Sequence, residues 1–198
     1  MDAAVRRRAW AWRLSAAALL VLGLWQAGLG LWIPAKAVVA QLLLHAAWAR
    51  TTAGAAPSAP WPWADFTALA ELQVGDSRYI VVSDAAGESL AFAPSHVAGS
   101  AEPGKPGNSI IAAHRDTHFS GLDALEPGQT LRVSGYEGRR TEYRIRETRV
   151  MDRPRITLPD DGVNRLVLVT CWPLRSLRPN PMQRYVVVAE QMRDGNDD

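Results

Sequence analysis

Three side chains with complementary chemistry stand at the ends of apolar, strand-like runs in this 198-residue chain. Cys171, the only cysteine, closes Arg165-Leu166-Val167-Leu168-Val169-Thr170-Cys171-Trp172-Pro173. Apolar and β-branched residues in close order suit a pleated, half-buried surface, and Pro173 cannot donate to a ladder, so the strand is predicted to stop at about Cys171. His114 follows Ile110-Ile111-Ala112-Ala113 in the same way, and Arg184 opens Arg184-Tyr185-Val186-Val187-Val188-Ala189. Arg184 begins its run 13 residues after Cys171, a spacing that suits a neighbouring antiparallel strand. A thiolate nucleophile, an imidazole that gives and takes a proton and a guanidinium beside a developing oxyanion are the parts of acyl transfer through a thioester. Arginine stays charged and offers several fixed donors, which suits an oxyanion better than lysine does.

Each of these residues has a plainer reading. A free cysteine usually packs as a small hydrophobe. His118, four residues on, competes with His114, and His96 is a further histidine in a loop-like segment. One cysteine and scattered histidines lack the ligand spacing of a zinc site, and no dense acidic loop suggests calcium, so neither a metal nor a cofactor is expected.

Compartment shifts the balance toward chemistry. Residues 14–32 form an uncharged, largely apolar stretch close to the length of one membrane-spanning helix. Arg6, Arg7, Arg8 and Arg13 precede or open it, and Trp10, Trp12 and Trp32 flank it as interfacial anchors. The basic end is expected in the cytoplasm, with everything after Trp32 outside. A cleavable signal peptide shares this pattern, but the apolar run is long for a signal core, which favours a retained anchor. Outside the cytoplasm structural cysteines pair, so a lone one is intermolecular or reactive.

The remaining composition bounds the architecture. With 47% hydrophobic and 21% charged residues, the chain holds one ordinary domain plus an appendage. A net charge of +2 and the absence of a long Lys/Arg cluster beyond the N-terminus argue against nucleic-acid binding. Residues 33–49 carry Val38, Val39, Leu42, Leu43 and Ala46 at helical spacing and predict an amphipathic stalk helix after Pro34. Residues 51–62 are rich in Thr, Ala, Gly, Ser and Pro and read as a linker. Trp61-Pro62-Trp63-Ala64-Asp65 is expected to dock the start of the globular part. Eight short strands are predicted at 71–74, 79–83, 89–92, 109–113, 130–134, 142–150, 165–170 and 184–190, with a helical turn near 121–126. That regular spacing predicts an all-β fold closed or nearly closed into a small barrel, ending in a frayed polar tail over 193–198.

Val167-Leu168-Val169-Thr170-Cys171 resembles the nucleophile strand of sortases. Ala113-His114-Arg115-Asp116-Thr117-His118-Phe119 resembles their histidine loop, and Arg184-Tyr185-Val186-Val187 the strand that carries their arginine. Trp61-Pro62-Trp63-Ala64-Asp65 and Gly104-Lys105-Pro106-Gly107-Asn108 are similar to the class found in Gram-negative bacteria. Two residues depart from the pattern: Ala113, where a glycine commonly precedes the histidine, and Trp172, where many relatives carry a smaller aromatic. The resemblance implies an eight-stranded sortase β-barrel with short helices behind a transmembrane helix. It implies a division into 1–33 (basic N-terminus and anchor), 34–62 (stalk and linker) and 63–198 (extracytoplasmic catalytic domain). The implied activity is cysteine transpeptidation, with an exported protein bearing a C-terminal sorting signal as donor and an amine as acceptor. Cys171 is the implied nucleophile, His114 the acid and base, and Arg184 the oxyanion partner, with Thr170 as a minor contributor. Asp116 is expected to cap the turn that follows rather than to orient His114. Water in place of the amine would make the chain a hydrolase, and a purely packed thiol would make it a membrane-tethered binding module. Cell-wall L,D-transpeptidases also use a thiol on a β-rich fold, but Thr170 stands where they place a glycine.

Overall fold

The structure, a computed structural model, describes residues 3–84, 87, 89–152, 159, 161–176 and 181–192. The predicted polar tail lies outside the described residues. Two compact units are present, residues 1–42 and residues 43–198. A helix, α1, runs over Ala3–Thr52 and contains a stretch long and apolar enough to cross a membrane. The helix continues through Pro34 rather than starting afresh after it. The apolar residues at helical spacing are not the ones that pack on the larger unit. Val38, Val39 and Leu42 are exposed, whereas Leu44, Ala47 and Thr51 are buried. Leu44 packs in a small core with Phe66, Val82 and Ala93.

The larger unit is built on eight strands: β1 (Ala68–Val74), β2 (Ser77–Val82), β3 (Ser95–His96), β4 (Asn108–Ala112), β5 (Thr130–Gly135), β6 (Arg140–Asp152), β7 (Arg165–Trp172) and β8 (Gln183–Gln191). They close in the order β1-β2-β3-β4-β7-β8-β6-β5, as the even spacing of strand-like segments predicts. Closure gives every strand among the described residues a neighbour on both sides. One predicted strand is misplaced, however. Residues 89–92 hold a 3-10 turn (Ser89–Ala91), and the missing strand is the two-residue β3 at Ser95–His96. Two residues are too few to show an alternation.

Strand β7 is central, parallel to β4 and antiparallel to β8, and buried from Arg165 to Thr170. Burial on both faces explains its unbroken apolar run. Leu166 and Leu168 point inward with Ile111, Tyr143, Tyr185 and Val187 in the main core. Val167 and Val169 point outward and cluster with Val186, Val188, Ile110 and Met151. Strand β6 alternates as predicted, with Thr141, Tyr143 and Ile145 buried, until a bulge after Ile145 breaks the pattern.

The β4–β7 register is set at the strands' starts. Gly107 has φ 109°, and a Cβ there would stand 3.1 Å from that of Ala101, so only glycine fits without displacement. Its N–H donates to Asn164 Oδ1 at 2.7 Å, and its carbonyl accepts from the Arg165 N–H at 3.0 Å. Arg165 in turn donates through Nη1 and Nη2 to both carboxylate oxygens of Asp161, at 2.7 and 2.8 Å.

Trp61 docks as expected, edge-on to Phe66 and Phe92 with ring centroids 5.4 and 5.2 Å away. Trp63 does not share that role; it is 82% exposed.

Candidate active site

Strand register brings Cys171 and Arg184 together. They are directly opposed on β7 and β8, which places their Cα atoms about 5 Å apart. Alternation also puts them on one face, because Cys171 continues the outward series Val167, Val169 and Arg184 continues Val186, Val188. Both are half-buried.

His114 reaches the same rim along β4. The parallel pairing runs from Asn108–Arg165 to Ala112–Val169 at constant offset. It is prolonged by the Ala113 N–H donating to the Val169 carbonyl at 3.1 Å, and by Thr170 Oγ1 donating to the Ala113 carbonyl at 2.8 Å. The next step of that register is His114 beside Cys171. His114 has the parity of Ile110 and Ala112 and is exposed. The three sequence-predicted residues therefore share one end and one face of the β4-β7-β8 sheet.

Arg184 is held by its own loop. Its Nη1 donates to the carbonyls of Pro181 and Gln183 at 2.8 and 2.9 Å, so both described bonds use one nitrogen. Thr170 is buried, and its single hydroxyl proton points to the Ala113 carbonyl. That contact ties β7 to the histidine segment.

The competing histidines have other partners. Nε2 of buried His96 lies 2.9 Å from the Ala101 carbonyl, which only accepts, so that nitrogen carries a hydrogen and serves β3. His118 is half-buried, edge-on to Tyr79, with Nδ1 3.2 Å from Thr117 Oγ1. Burial, and secondarily the nearby His114, lower its pKa from the ordinary histidine value. Asp116 does not cap the following turn, η2 (Leu122–Ala124), whose N-cap is Gly121; its Oδ1 lies 3.5 Å from Arg115 Nε instead. Among the described residues no group of three or more His, Cys, Asp or Glu side chains is gathered as a metal-ligand set.

The two departures from the sortase pattern both face the barrel interior. Ala113 is buried in the main core, and Trp172 stacks on Tyr185 with centroids 5.3 Å apart. Each therefore packs behind the rim rather than beside the outward-facing Cys171. Two surface clefts, one lined by Glu102, Lys105, Tyr136 and Arg139 and the other by Thr51, Pro57 and Gly138, contain none of the three rim residues.

Sequence reasoning missed Arg115. It is buried, with Nη1 donating to the Pro173 carbonyl at 2.8 Å and Nη2 to the Ser176 carbonyl at 2.6 Å. A signal was present, since Ile111, Ala113 and Arg115 share a parity and the first two are core.

Fold and site together define a closed β-barrel whose rim presents a thiol opposite a guanidinium, with an imidazole just past the end of the adjoining strand. The family described as Sortase, sortase domain, matches residues 66–192, the whole of β1 to β8, and the chain belongs to that family. Sortase D of Bacillus subtilis (strain 168) is 32% identical over 100 residues, 49% of each sequence, so the chain matches about half the length of this curated relative. Among solved structures, sortase A from Corynebacterium diphtheriae superposes with a TM-score of 0.58 at 18% identity, over 81% of this chain and 87% of that one. Sortase C-1 from Actinomyces oris gives 0.55 at 20% identity, over 63% and 74%. A Clostridium perfringens sortase D5 transpeptidase gives 0.53 at 21%, over 64% and 79%. These structural likenesses show the shared barrel.

Proposed function

We propose that the chain is a membrane-anchored cysteine transpeptidase that cleaves a C-terminal sorting signal of an exported protein and passes the acyl group to an amine. The observation that carries this reading is the register of Cys171 opposite Arg184, with His114 two residues past the end of β4, where the β4–β7 offset carried onward meets Cys171. In the first half-reaction the Cys171 sulfur attacks the scissile carbonyl carbon and forms a C–S bond. Arg184 donates to the tetrahedral oxyanion through Nε and Nη2, the nitrogens its described loop contacts do not use. The C–N bond breaks as His114 protonates the departing amine. In the second half-reaction an incoming amine loses a proton to His114, attacks the thioester and expels the Cys171 thiolate, which restores the enzyme.

The motifs at 61–65 and 104–108 support placement with the sortases of Gram-negative bacteria. The apolar stretch of α1 and the preceding arginines support a single-pass anchor in the inner membrane, N-terminus inside, with the barrel in the periplasm. The division proposed is 1–33 for basic end and anchor, 34–62 for stalk and linker, and 63–198 for the catalytic domain.

The test is to trap the acyl adduct on Cys171 in cell envelopes, sequence the attached chain, and incubate that peptide with an amine and the enzyme. A joined peptide is the expected product. Free acid alone would convert the reading to a cysteine hydrolase. Full transfer by Cys171→Ala would end the thioester mechanism, and no adduct at all would leave a tethered binding module.

A further inference from the structure

The residue after His114 is a buried arginine whose bonds cross to the far side of Cys171. Arg115 is 7% exposed, and its two terminal nitrogens donate to the carbonyls of Pro173 and Ser176. Asp116, a carboxylate among its described contacts, lies 3.5 Å from Nε and is itself 71% exposed. A buried cation is costly unless its donors are satisfied, and the planar fork of arginine is suited to two converging carbonyls.

The position of these bonds is informative. The backbone ladder between β4 and β7 ends with the Ala113 N–H on the Val169 carbonyl. Beyond it, His114 lies past the end of β4, and Pro173 has no N–H to extend β7. The two reactive residues therefore sit where the backbone ladder between β4 and β7 has run out, while Cys171 stays paired with Arg184 on β8. Side chains take over on both sides of them: Thr170 holds the Ala113 carbonyl just before, and Arg115 holds Pro173 and Ser176 just after.

We infer that Arg115 is a positioning residue that keeps His114 in register with Cys171 by clamping the chain that follows the nucleophile. It touches neither substrate nor reacting atoms and acts only through that geometry. The inference rests on the catalytic reading of His114 and Cys171, so the test pairs a measurement that needs substrate with one that does not.

The full chain is compared with Arg115→Gln, Arg115→Lys, His114→Ala and the double variant His114→Ala/Arg115→Gln. The substrate-free measurement is the pH profile of Cys171 alkylation by iodoacetamide, with thermal unfolding followed in parallel. His114→Ala is expected to shift the profile, and Arg115→Gln to shift it in the same direction. Arg115→Lys, which keeps the charge but not the fork, is expected to fall between wild type and Arg115→Gln. The double variant is expected to match His114→Ala alone, because a clamp with nothing to position adds nothing. With a sorting peptide, Arg115→Gln is expected to lower kcat on the order of 100-fold with KM unchanged, as misplaced reacting groups do.

A wild-type profile in Arg115→Gln, with or without a lower unfolding temperature, overturns the inference. So does a double variant whose shift is the sum of the two singles, or a His114→Ala profile that does not move. If Arg115→Gln does not fold, Arg115→Lys carries the same criteria. A wild-type chain with the His114-dependent profile but no peptide turnover defeats the proposed function and leaves the clamp standing. Peptide turnover with an unaltered Arg115→Gln does the reverse.

Discussion

At the scale of single residues, the site depends on donors whose geometry matters more than their charge. Arg184 keeps Nη1 on the loop carbonyls of Pro181 and Gln183 and presents the rest of its fork outward. Lysine preserves the charge but cannot hold both roles, so Arg184→Lys is expected to lower kcat on a sorting peptide by about 100-fold or more, the usual cost of losing an oxyanion donor. Thr170 is a different case. Its hydroxyl is buried against the Ala113 carbonyl, and Thr170→Val leaves that acceptor without its donor. Urea denaturation is expected to show a loss of about 1–3 kcal/mol, with Thr170→Ser close to wild type. Cys171, His114 and Arg184 were legible one by one, because each terminates or opens an apolar run. Arg115 was not, because a charge beside a loop is ordinarily solvated and only the packed structure shows what encloses it.

Two devices hold the elements, one at the start of β7 and one at the stalk end of α1. At the foot of β7, Arg165 and Gly107 fix the neighbouring strand, and Asp161 holds Arg165 with both carboxylate oxygens. Hydrogen bonds from Arg165, and secondarily from the Val163 N–H, bring the Asp161 carboxyl from 3.8 down to about 2. A carboxyl depressed in the folded state adds stability above its unfolded value, and that contribution fades as pH falls through the folded one. Melting curves from pH 5 to pH 2 are therefore expected to show wild type more stable than Asp161→Asn at the upper end, with the difference vanishing as the pH approaches 2. The stalk end of α1 supplies the second device. Leu44 is fully buried against Phe66, Val82 and Ala93, and Leu44→Ala is expected to cost about 2–5 kcal/mol by chemical denaturation. Strand content was readable from alternation and turn residues, but β3 was not. Two residues carry no period, and Ser89-Leu90-Ala91-Phe92 has strand-like composition while adopting a 3-10 turn.

For the whole molecule, α1 carries a stretch long and apolar enough to cross a membrane, and the proposed anchor can be tested directly. A retained anchor predicts that the full-length protein stays with the membrane pellet after alkaline carbonate extraction and is released only by detergent. A mature form shortened by about the length of the apolar segment and recovered in the soluble periplasmic fraction would mean a cleaved signal peptide instead.

The amino-acid sequence by itself determined the apolar stretch, the set of strands save one and the identity of the three rim residues, since these follow from local composition and period. Only the tertiary structure decided which strands are neighbours, that β4 runs parallel to β7, and that the inward face of the stalk is Leu44, Ala47 and Thr51. It alone showed Trp172 turned toward the core and Arg115 bridging to Pro173 and Ser176. The β4–β7 pairing joins segments 57 residues apart in the chain, and register of that kind is set by packing and hydrogen bonds that no local window of sequence contains.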